Sequence, residues 1–189
     1  MFQVRIHGRG GQGVVTAAEL LAVAAFAEDR YAQAFPSFGS ERTGAPVAAF
    51  CRIDDHPIRT HEPIAAPDAV VVADPSVLHQ VDVLHGLRPD GYLLVNTGRS
   101  AAELAITGAV TARLCLVPAT DLAREHVGKP LPNAALLGAF AALTSLVRLD
   151  SVEAAIRQRF SGPVAERNIA AARAAFDIVH AARREASNA

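Results

Sequence analysis

Short apolar runs alternate along this chain with longer segments rich in alanine and leucine. The short runs predict strands at residues 4–7, 31–35, 47–53, 69–73, 92–95 and 113–117, and the last three have the continuous apolar pattern of strands buried on both faces. The longer segments predict helices from Val14 to about Ala27, from Pro132 or Asn133 to about Val147, and from Pro163 to Arg184. Strands that alternate with helices are typical of α/β proteins with a mostly parallel sheet.

A turn signal follows the third predicted strand. The sequence Asp54-Asp55-His56-Pro57 combines residue types that favour turns. Residues 58–60 come directly after it and can pair back onto residues 47–53. The sequence therefore predicts a β-hairpin after the second strand.

A glycine-rich loop connects the first predicted strand to the first predicted helix. Its residues are Gly8, Arg9, Gly10, Gly11, Gln12 and Gly13. The G-x-G-x-x-G spacing in this strand–loop–helix context is typical of Rossmann-like, dinucleotide-binding folds. Glycines let the backbone turn sharply, and the free N–H groups at the start of the helix attract an anion such as a phosphate oxygen. The alternative is a tight turn that binds no ligand.

Together these patterns predict one domain over residues 1–189. Its fold class is α/β, with a Rossmann-like, mostly parallel sheet flanked by helices, a β-hairpin after the second strand and C-terminal helices. A length of 189 residues, of which 51% are hydrophobic, suits a single domain with a substantial core.

Two finer interpretations of the glycine loop meet difficulties. Val14 and Val15 stand where a P-loop needs Lys and Ser or Thr, which argues against nucleotide hydrolysis. An NAD-binding fold needs an acidic residue at the end of its second strand to hold the ribose, and Phe35-Pro36-Ser37 stands there. The second difficulty weakens the hypothesis of an NAD(P)-dependent dehydrogenase and leaves it open.

Several loops are expected to meet the glycine loop at one edge of the sheet. Ligands of open parallel sheets bind beyond the carboxyl ends of the strands. The segments predicted there are residues 36–44, Asp74-Pro75, Asn96-Thr97-Gly98 and Pro118-Ala119-Thr120. None of them supplies a nucleophile with a base or a pair of carboxylates. We therefore predict that this chain binds a ligand and positions it, and we predict no catalytic residue in the chain.

Composition excludes some partners and sites. The net charge is −1, from 18 Lys and Arg against 19 Asp and Glu, so we expect no attraction to nucleic acid or to a membrane surface. Cys51 and Cys115 lie far apart in apolar runs, and the histidines are scattered. We expect buried, reduced thiols and no metal site. No targeting segment precedes the first strand, which indicates a cytoplasmic protein.

Three segments together resemble one enzyme family. Residues 6–13, followed by an Ala-rich helix, are similar to the G-x-G-G-Q-G opening of gamma subunits of the pyruvate/ketoacid:ferredoxin oxidoreductases. Residues 36–44, with the strand after them and Pro57-Ile58, resemble that family's proline–glycine–acid–arginine–glycine loop, except that Thr43 stands where many members have a glycine. Residues 133–139 resemble its Asn-x-x-x-Leu-Gly-Ala helix. The similarity extends over about residues 2–180.

The resemblance implies a complex that oxidatively decarboxylates a 2-oxoacid and usually gives an acyl-CoA. It implies thiamine diphosphate, magnesium and 4Fe-4S clusters in alpha-, beta- and delta-type partner subunits. Pyruvate, 2-oxoglutarate, branched-chain 2-oxoacids, indolepyruvate and arylglyoxylates all remain open as substrates. The acceptor would be ferredoxin or an NAD-reducing subunit. This chain would be the gamma subunit, which covers the active site and helps to bind coenzyme A.

On this hypothesis, the cofactor-binding residues belong to the glycine loop, to residues 36–44 (here termed the second loop) and to the end of the fifth strand. They are Gly8, Arg9, Gly10, Gly11, Gln12, Gly13, Ser40, Glu41, Arg42, Asn96 and Thr97. Arg42 can bind a phosphate or carboxylate with two hydrogen bonds, or it can simply pair with Glu41. Two alternatives remain open: a free-standing NAD(P)-dependent dehydrogenase, and a purely structural subunit whose loop binds nothing.

Overall fold

A six-stranded sheet forms the centre of the domain in this computed structural model, which describes residues 1–37, 44–104, 106 and 113–187. The strands are β1 (Phe2–Arg9), β2 (Tyr31–Pro36), β3 (Pro46–Asp54), β4 (Ala69–Val72), β5 (Tyr92–Asn96) and β6 (Leu114–Val117). Their spatial order is β2-β3-β1-β4-β5-β6. β1, β4, β5 and β6 pair in parallel, whereas β3 is antiparallel to both of its neighbours. The predicted α/β fold with a mostly parallel sheet is confirmed.

The β-hairpin joins β2 to β3, and the predicted pairing of residues 47–53 with residues 58–60 is wrong. β3 lies between β1 and β2, and it pairs with β1 from Pro46 to Ile53 and with β2 from Ala49 to Asp54. Because both edges of β3 are occupied, residues 58–60 find no free edge there, and they form no strand. The predicted turn is present, since Asp54 Oδ1 accepts the backbone N–H of the next residue at 2.7 Å.

The α-helices of the described chain pack on one face of the sheet. They are α1 (Val14–Phe26), α2 (Ala119–Val127), α3 (Asn133–Thr144), α4 (Leu149–Arg159) and α5 (Gly162–Ser187). Buried side chains from all five share one hydrophobic cluster with inward-facing residues of the sheet such as Val4, Ile6 and Ile53. α1 and α3 are apolar almost all round because they contact strands on one side and other helices on the other.

The sequence analysis predicted α1, α3 and α5 and missed α2 and α4. α4 buries Val152, Ala155 and Ile156, whose i, i+3, i+4 spacing was a usable signal for a helix. α3 ends at Thr144, earlier than predicted, because Ser145 adopts a left-handed conformation with φ 54°. No helix among the described residues is both long enough and apolar enough to cross a lipid bilayer.

The opposite face of the sheet is covered by a short 3-10 helix, Pro75–His79, and by irregular segments. Val77, Val83, Leu104 and Ile106 from these segments pack against β4 and β5 in a second, smaller hydrophobic cluster. This cover lacks the internal hydrogen bonds of a helix layer. It must therefore be fixed to the sheet by side chains.

Arg5 of β1 provides one such attachment. Only 7% of its surface is exposed, and its guanidinium donates to the carbonyl oxygens of Val83 at 2.9 Å and His85 at 2.6 Å. A longer bond reaches the carbonyl oxygen of Ile64 at 3.4 Å. Burial lowers the pKa of Arg5, and the nearby carboxylate of Asp82 opposes that shift. An arginine keeps its charge under such a shift, so the carbonyl groups accept from a cation.

His7 lies two residues further along the same face of β1 and is also buried. Its Nε2 has no hydrogen-bond partner among the described residues. Burial, and after it the charge of Arg5, lowers the pKa of His7 to about 4. The ring is therefore neutral in the folded protein at pH 7, whereas in the unfolded chain its pKa returns to about 6.5.

We expect this histidine to make the fold sensitive to mild acid. Between pH 6.5 and pH 4 the unfolded chain binds the His7 proton and the folded chain does not, so the free energy of unfolding falls as the pH is lowered. The loss from this group should be about 2–3 kcal/mol, and it should be absent above pH 6.5. Urea unfolding of the wild type and His7→Gln at pH 7, 5.5 and 4 measures it. The stability difference between the two proteins should shift by that amount in favour of the variant, and a constant difference would contradict the prediction.

Candidate functional site

The carboxyl ends of β1, β4 and β5 meet the start of α2 around an open cleft of about 510 Å³, here termed the loop cleft. Its lining residues are Gly10, Gly11, Gln12, Ala73, Asp74, Pro75, Asn96, Thr120, Arg124, Pro130 and Leu131. Four of the segments predicted to meet at this edge contribute to it: the glycine loop, Asp74-Pro75, Asn96 and Thr120. The sequence analysis did not indicate Arg124 or Pro130-Leu131. Arg124 lies in α2, which was not predicted, and Pro130-Leu131 follow that helix.

Gln12 and Arg9 hold the glycine loop in a fixed shape. Gln12 Oε1 accepts the N–H of Arg9 at 2.8 Å, and Gln12 Nε2 donates to Asp74 Oδ2 at 2.7 Å. The Arg9 guanidinium donates to Ser76 Oγ at 2.9 Å and to the carbonyl oxygen of Gly44 at 2.8 Å. These side chains connect the loop to the segments after β4 and before β3. The loop is therefore held by side chains of the chain itself.

Asp74 places a negative charge at one side of the loop cleft. Burial alone would raise the pKa of Asp74, but hydrogen bonds from Ser76 and Gln12 and the charge of Arg9 lower it on balance. The carboxylate is therefore ionised at neutral pH. Arg9 lies 3.6 Å from it and offsets part of its charge. An anionic ligand in this cleft is therefore favoured away from Asp74 and near the guanidinium of Arg124, which also lines it.

The N–H groups of the glycine loop divide into two sets. Gly10 donates to the carbonyl oxygen of Ala45 at 3.0 Å, and Gln12 donates to that of Arg9 at 3.1 Å. For the amides of Gly11 and Gly13, the described residues provide no acceptor. Both glycines have a positive φ, 92° and 74°, which a residue with a side chain adopts only with strain. The amides of Gly11 and Gly13 are therefore the ones that this loop offers to an anion.

Asn96 joins two strands and a helix at the floor of the loop cleft. Its amide nitrogen donates to the carbonyl oxygen of Ala73 and to Thr120 Oγ1, both at 2.7 Å. Its Oδ1 accepts the N–H of Thr120 at 3.0 Å. Both N–H groups of the side chain are thus used within the protein. This geometry gives Asn96 a positioning role for the start of α2 rather than a free donor for a ligand.

Asn133 is a site residue that the sequence indicated only through the family resemblance. It begins α3, is 7% exposed and lies so close to the loop that a Cβ on Gly13 would be 2.8 Å from its Nδ2. The starts of α1 and α3 are therefore in direct contact. α2 contributes Thr120 from its first turn to the lining of the loop cleft, and the glycine loop that leads into α1 lines it too, so the positive ends of these two helices favour an anion there.

Other predicted site residues lie elsewhere. Thr97 is not among the residues that line the loop cleft, because its hydroxyl accepts the N–H of Arg99 within a local turn. Gly8 is a packing position, where a Cβ would be 2.6 Å from Val14 Cγ2. Ser40, Glu41 and Arg42 lie outside the described residues. Their predicted role in binding stays a prediction.

A family model described as pyruvate ferredoxin/flavodoxin oxidoreductase matches residues 3–178. The chain is also 54% identical over 178 residues to the pyruvate/ketoisovalerate oxidoreductases common subunit gamma of Pyrococcus abyssi, covering 94% of this chain and 96% of that one. This chain belongs to the pyruvate ferredoxin/flavodoxin oxidoreductase family. It is a gamma-type member, as the sequence analysis predicted.

Solved structures agree with the fold of this gamma-type chain. The pyruvate oxidoreductase subunit PORC from Thermotoga maritima superposes with a TM-score of 0.80 at 36% identity, covering 93% of this chain and 95% of that one. The 2-oxoglutarate:ferredoxin oxidoreductase from Magnetococcus marinus, solved with 2-oxoglutarate, coenzyme A and succinyl-CoA bound, superposes with a TM-score of 0.75 at 16% identity. That match covers 95% of this chain and 31% of the larger protein, and it supports the fold alone.

The strand order of the gamma-type chain argues against a free-standing dehydrogenase. In dinucleotide-binding sheets, the second strand lies beside the first and carries the acidic residue that holds the ribose. Here antiparallel β3 lies beside β1, with Pro46 opposite Arg9. β2 lies one strand further away and ends at Pro36. Among the described residues, the ribose-binding geometry of those folds is therefore not formed at this loop.

Proposed function

We propose that this chain is the subunit of a thiamine-diphosphate-dependent 2-oxoacid:acceptor oxidoreductase complex that receives the phosphates of coenzyme A in its loop cleft. The observation that carries the proposal is that the glycine loop, whose Gly11 amide has no described acceptor, and the start of α2 line one open cleft. Such a set of donors suits a diphosphate. Coenzyme A is the diphosphate ligand that the family resemblance implies.

The reaction itself would take place on partner subunits. Thiamine diphosphate, magnesium and 4Fe-4S clusters would be held by alpha-, beta- and delta-type chains, and electrons would pass to ferredoxin or to an NAD-reducing subunit. Pyruvate and ketoisovalerate, named for the Pyrococcus relative, are the 2-oxoacids we propose first. The gamma-type chain would cover the active site and orient coenzyme A for acyl transfer.

The residues that line the loop cleft fit a phosphate group away from Asp74. Arg124 lines the cleft and adds a positive charge, which is shared with Asp121 at 2.9 Å. Asp74 also lines the cleft and repels an anion. We therefore place the diphosphate near Gly11, with Arg42 as a further cation from the second loop.

Gly11→Ala and Arg42→Ala test this assignment in the assembled complex. A Cβ on Gly11 meets no described atom within 4 Å, but its φ of 92° strains any residue with a side chain, so this variant changes the conformation of the loop and not its packing. Losing a charge-assisted contact from Arg42 costs about 1.5–3 kcal/mol, or roughly ten- to a hundredfold in affinity. We expect both variants to raise the KM for coenzyme A and to leave that for the 2-oxoacid nearly unchanged. Arg167→Ala, at an exposed position on α5, is the matched control.

Steady-state kinetics separates the alternatives. A purely structural loop would lower the yield of assembled complex without changing the KM for coenzyme A. A role at the mouth of the 2-oxoacid site would raise the KM for the 2-oxoacid instead. An unchanged KM for coenzyme A in both variants would overturn the proposed ligand.

A further inference from the structure

β6 is an edge strand of the sheet, and the C-terminal half of α5 lies along it. Between them is an open groove of about 540 Å³, here termed the edge groove. Its walls include Leu114 and Leu116 of β6 and Ile178, Ala182 and Arg183 of α5. Within the described ranges no strand pairs with the outer edge of β6.

The backbone of β6 offers hydrogen bonds on this outer edge. The N–H of Thr97, just after β5, donates to the carbonyl oxygen of Val117 at 2.8 Å, so Val117 directs its backbone groups towards β5. Backbone groups alternate in direction along a strand, so Cys115 also faces β5, and Leu114 and Leu116 direct theirs outward. An unpaired edge of this kind is a template for one more strand.

The α5 wall of the edge groove is apolar and accessible. Ile178 is 42% exposed, an unusual state for an isoleucine, and Ala182 lies one turn further along the helix and is also exposed. Leu143 and Val179 line the groove below them. An extended segment paired with β6 would bring alternate side chains against this wall.

The charges along the edge groove are of one sign. Arg113 lies at the start of β6, with its guanidinium 5.0 Å from the centroid of the Tyr92 ring, and Arg183 lies on the α5 wall. None of the described residues that line the groove is acidic. A second copy of this chain would bring the same arginines against one another. A different chain that carries acidic side chains is therefore the complementary occupant.

We infer that the edge groove binds an extended acidic segment of a partner subunit, which adds a strand to β6 and packs apolar side chains against Ile178 and Ala182. This inference rests on the proposed function, because the partner is a subunit of the same oxidoreductase complex. It assigns an assembly role to a surface that shares no lining residue with the loop cleft.

A pair of neighbouring alanines provides the test. Ala182 lines the edge groove and Ala181 does not, although both are exposed on α5. Each is changed to glutamate in the chain co-expressed with its partner subunits. Ala182→Glu places a negative charge and extra bulk where the acidic segment would bind, so we expect retention of the chain in the purified complex to fall on the order of tenfold. Ala181→Glu should assemble like the wild type, and thermal unfolding of both variants should match.

A photo-crosslinking residue at position 182 of the assembled complex then identifies the occupant. The expected product joins this chain to an acidic segment of another subunit. A product that joins two copies of this chain, or equal assembly of Ala182→Glu and Ala181→Glu, overturns the inference. If the wild-type chain itself does not assemble with thiamine- and cluster-containing subunits, the proposed function fails, and the inference that rests on it fails too.

Discussion

Replacing Gly138 with alanine should lower the free energy of unfolding by roughly 3–5 kcal/mol. Gly138 lies in α3 where this helix crosses α5. A Cβ at this position would overlap with the carbonyl oxygen of Ala172 and would lie 2.6 Å from its carbonyl carbon. Both are backbone atoms of α5, so no side chain can move aside. The two helices would have to separate, and fully buried residues such as Phe140 and Ile169 would lose contacts.

The direction of the stability change distinguishes a helix crossing that requires glycine from one that tolerates alanine. In an exposed helix interior, Gly→Ala stabilises by about 1 kcal/mol, because alanine is the better helix former. Urea unfolding of Gly138→Ala against the wild type measures the change. Gly98→Ala is the control, since a Cβ there meets no described atom within 4 Å. A Gly138→Ala protein as stable as the wild type would show that the helix crossing tolerates a methyl group.

Gly138 also shows where reading the sequence reaches its limit. The Asn-x-x-x-Leu-Gly-Ala pattern indicated a helix and the family, and both are confirmed. The atom that requires the glycine belongs to Ala172, on another helix 34 residues later in the chain. No local pattern contains that contact, because it exists only once α3 and α5 have packed.

In the sheet, too, local patterns could be predicted from the sequence and contacts between distant segments could not. The runs that become β4 and β5 were evident because strands buried on both faces are continuously apolar. β6 was predicted from the same pattern, but it is the edge strand, and its residues from Leu114 to Leu116 are only partly buried. The position of β3 between β1 and β2 was not evident, because strand order depends on pairing between distant segments. A local turn at Asp54 therefore suggested a hairpin with residues 58–60 that the sheet does not form.

The position of the loop cleft in the fold could be predicted from the sequence, but the hydrogen bonds within it could not. The rule that ligands bind beyond the carboxyl ends of parallel strands brought the glycine loop, Asp74 and Asn96 together correctly. The sequence could not show that the side-chain amide of Asn96 donates its hydrogen bonds to Ala73 and Thr120, or that the N–H of Gly10 donates to the carbonyl oxygen of Ala45. Hydrogen bonds of this kind depend on ångström-scale geometry. They reduce the candidate donors of the loop to Gly11 and Gly13.

Arg5 is the second position where we expect a large loss of stability. Replacing it with leucine leaves a shorter, apolar side chain on β1 and removes every donor. The carbonyl oxygens of Val83, His85 and Ile64 would then be left without their present partner in a buried region. An unsatisfied buried polar group costs about 1–3 kcal/mol, so we expect Arg5→Leu to lower the free energy of unfolding by roughly 3–5 kcal/mol in total.

The loss should be concentrated in the helix-free cover of the sheet. Amide hydrogen exchange near Val83 and His85 should accelerate more than exchange in α1 or α3, because Arg5 connects the cover to β1 and not to the helices. Arg5→Lys should fall between the wild type and Arg5→Leu, since one ammonium group cannot reach all three carbonyl oxygens. Arg88→Leu is the matched control, because Arg88 is 54% exposed and its ion pair with Asp68 contributes little. Wild-type stability in Arg5→Leu, or faster exchange spread evenly over the helices, would show that the cover is held by its hydrophobic contacts alone.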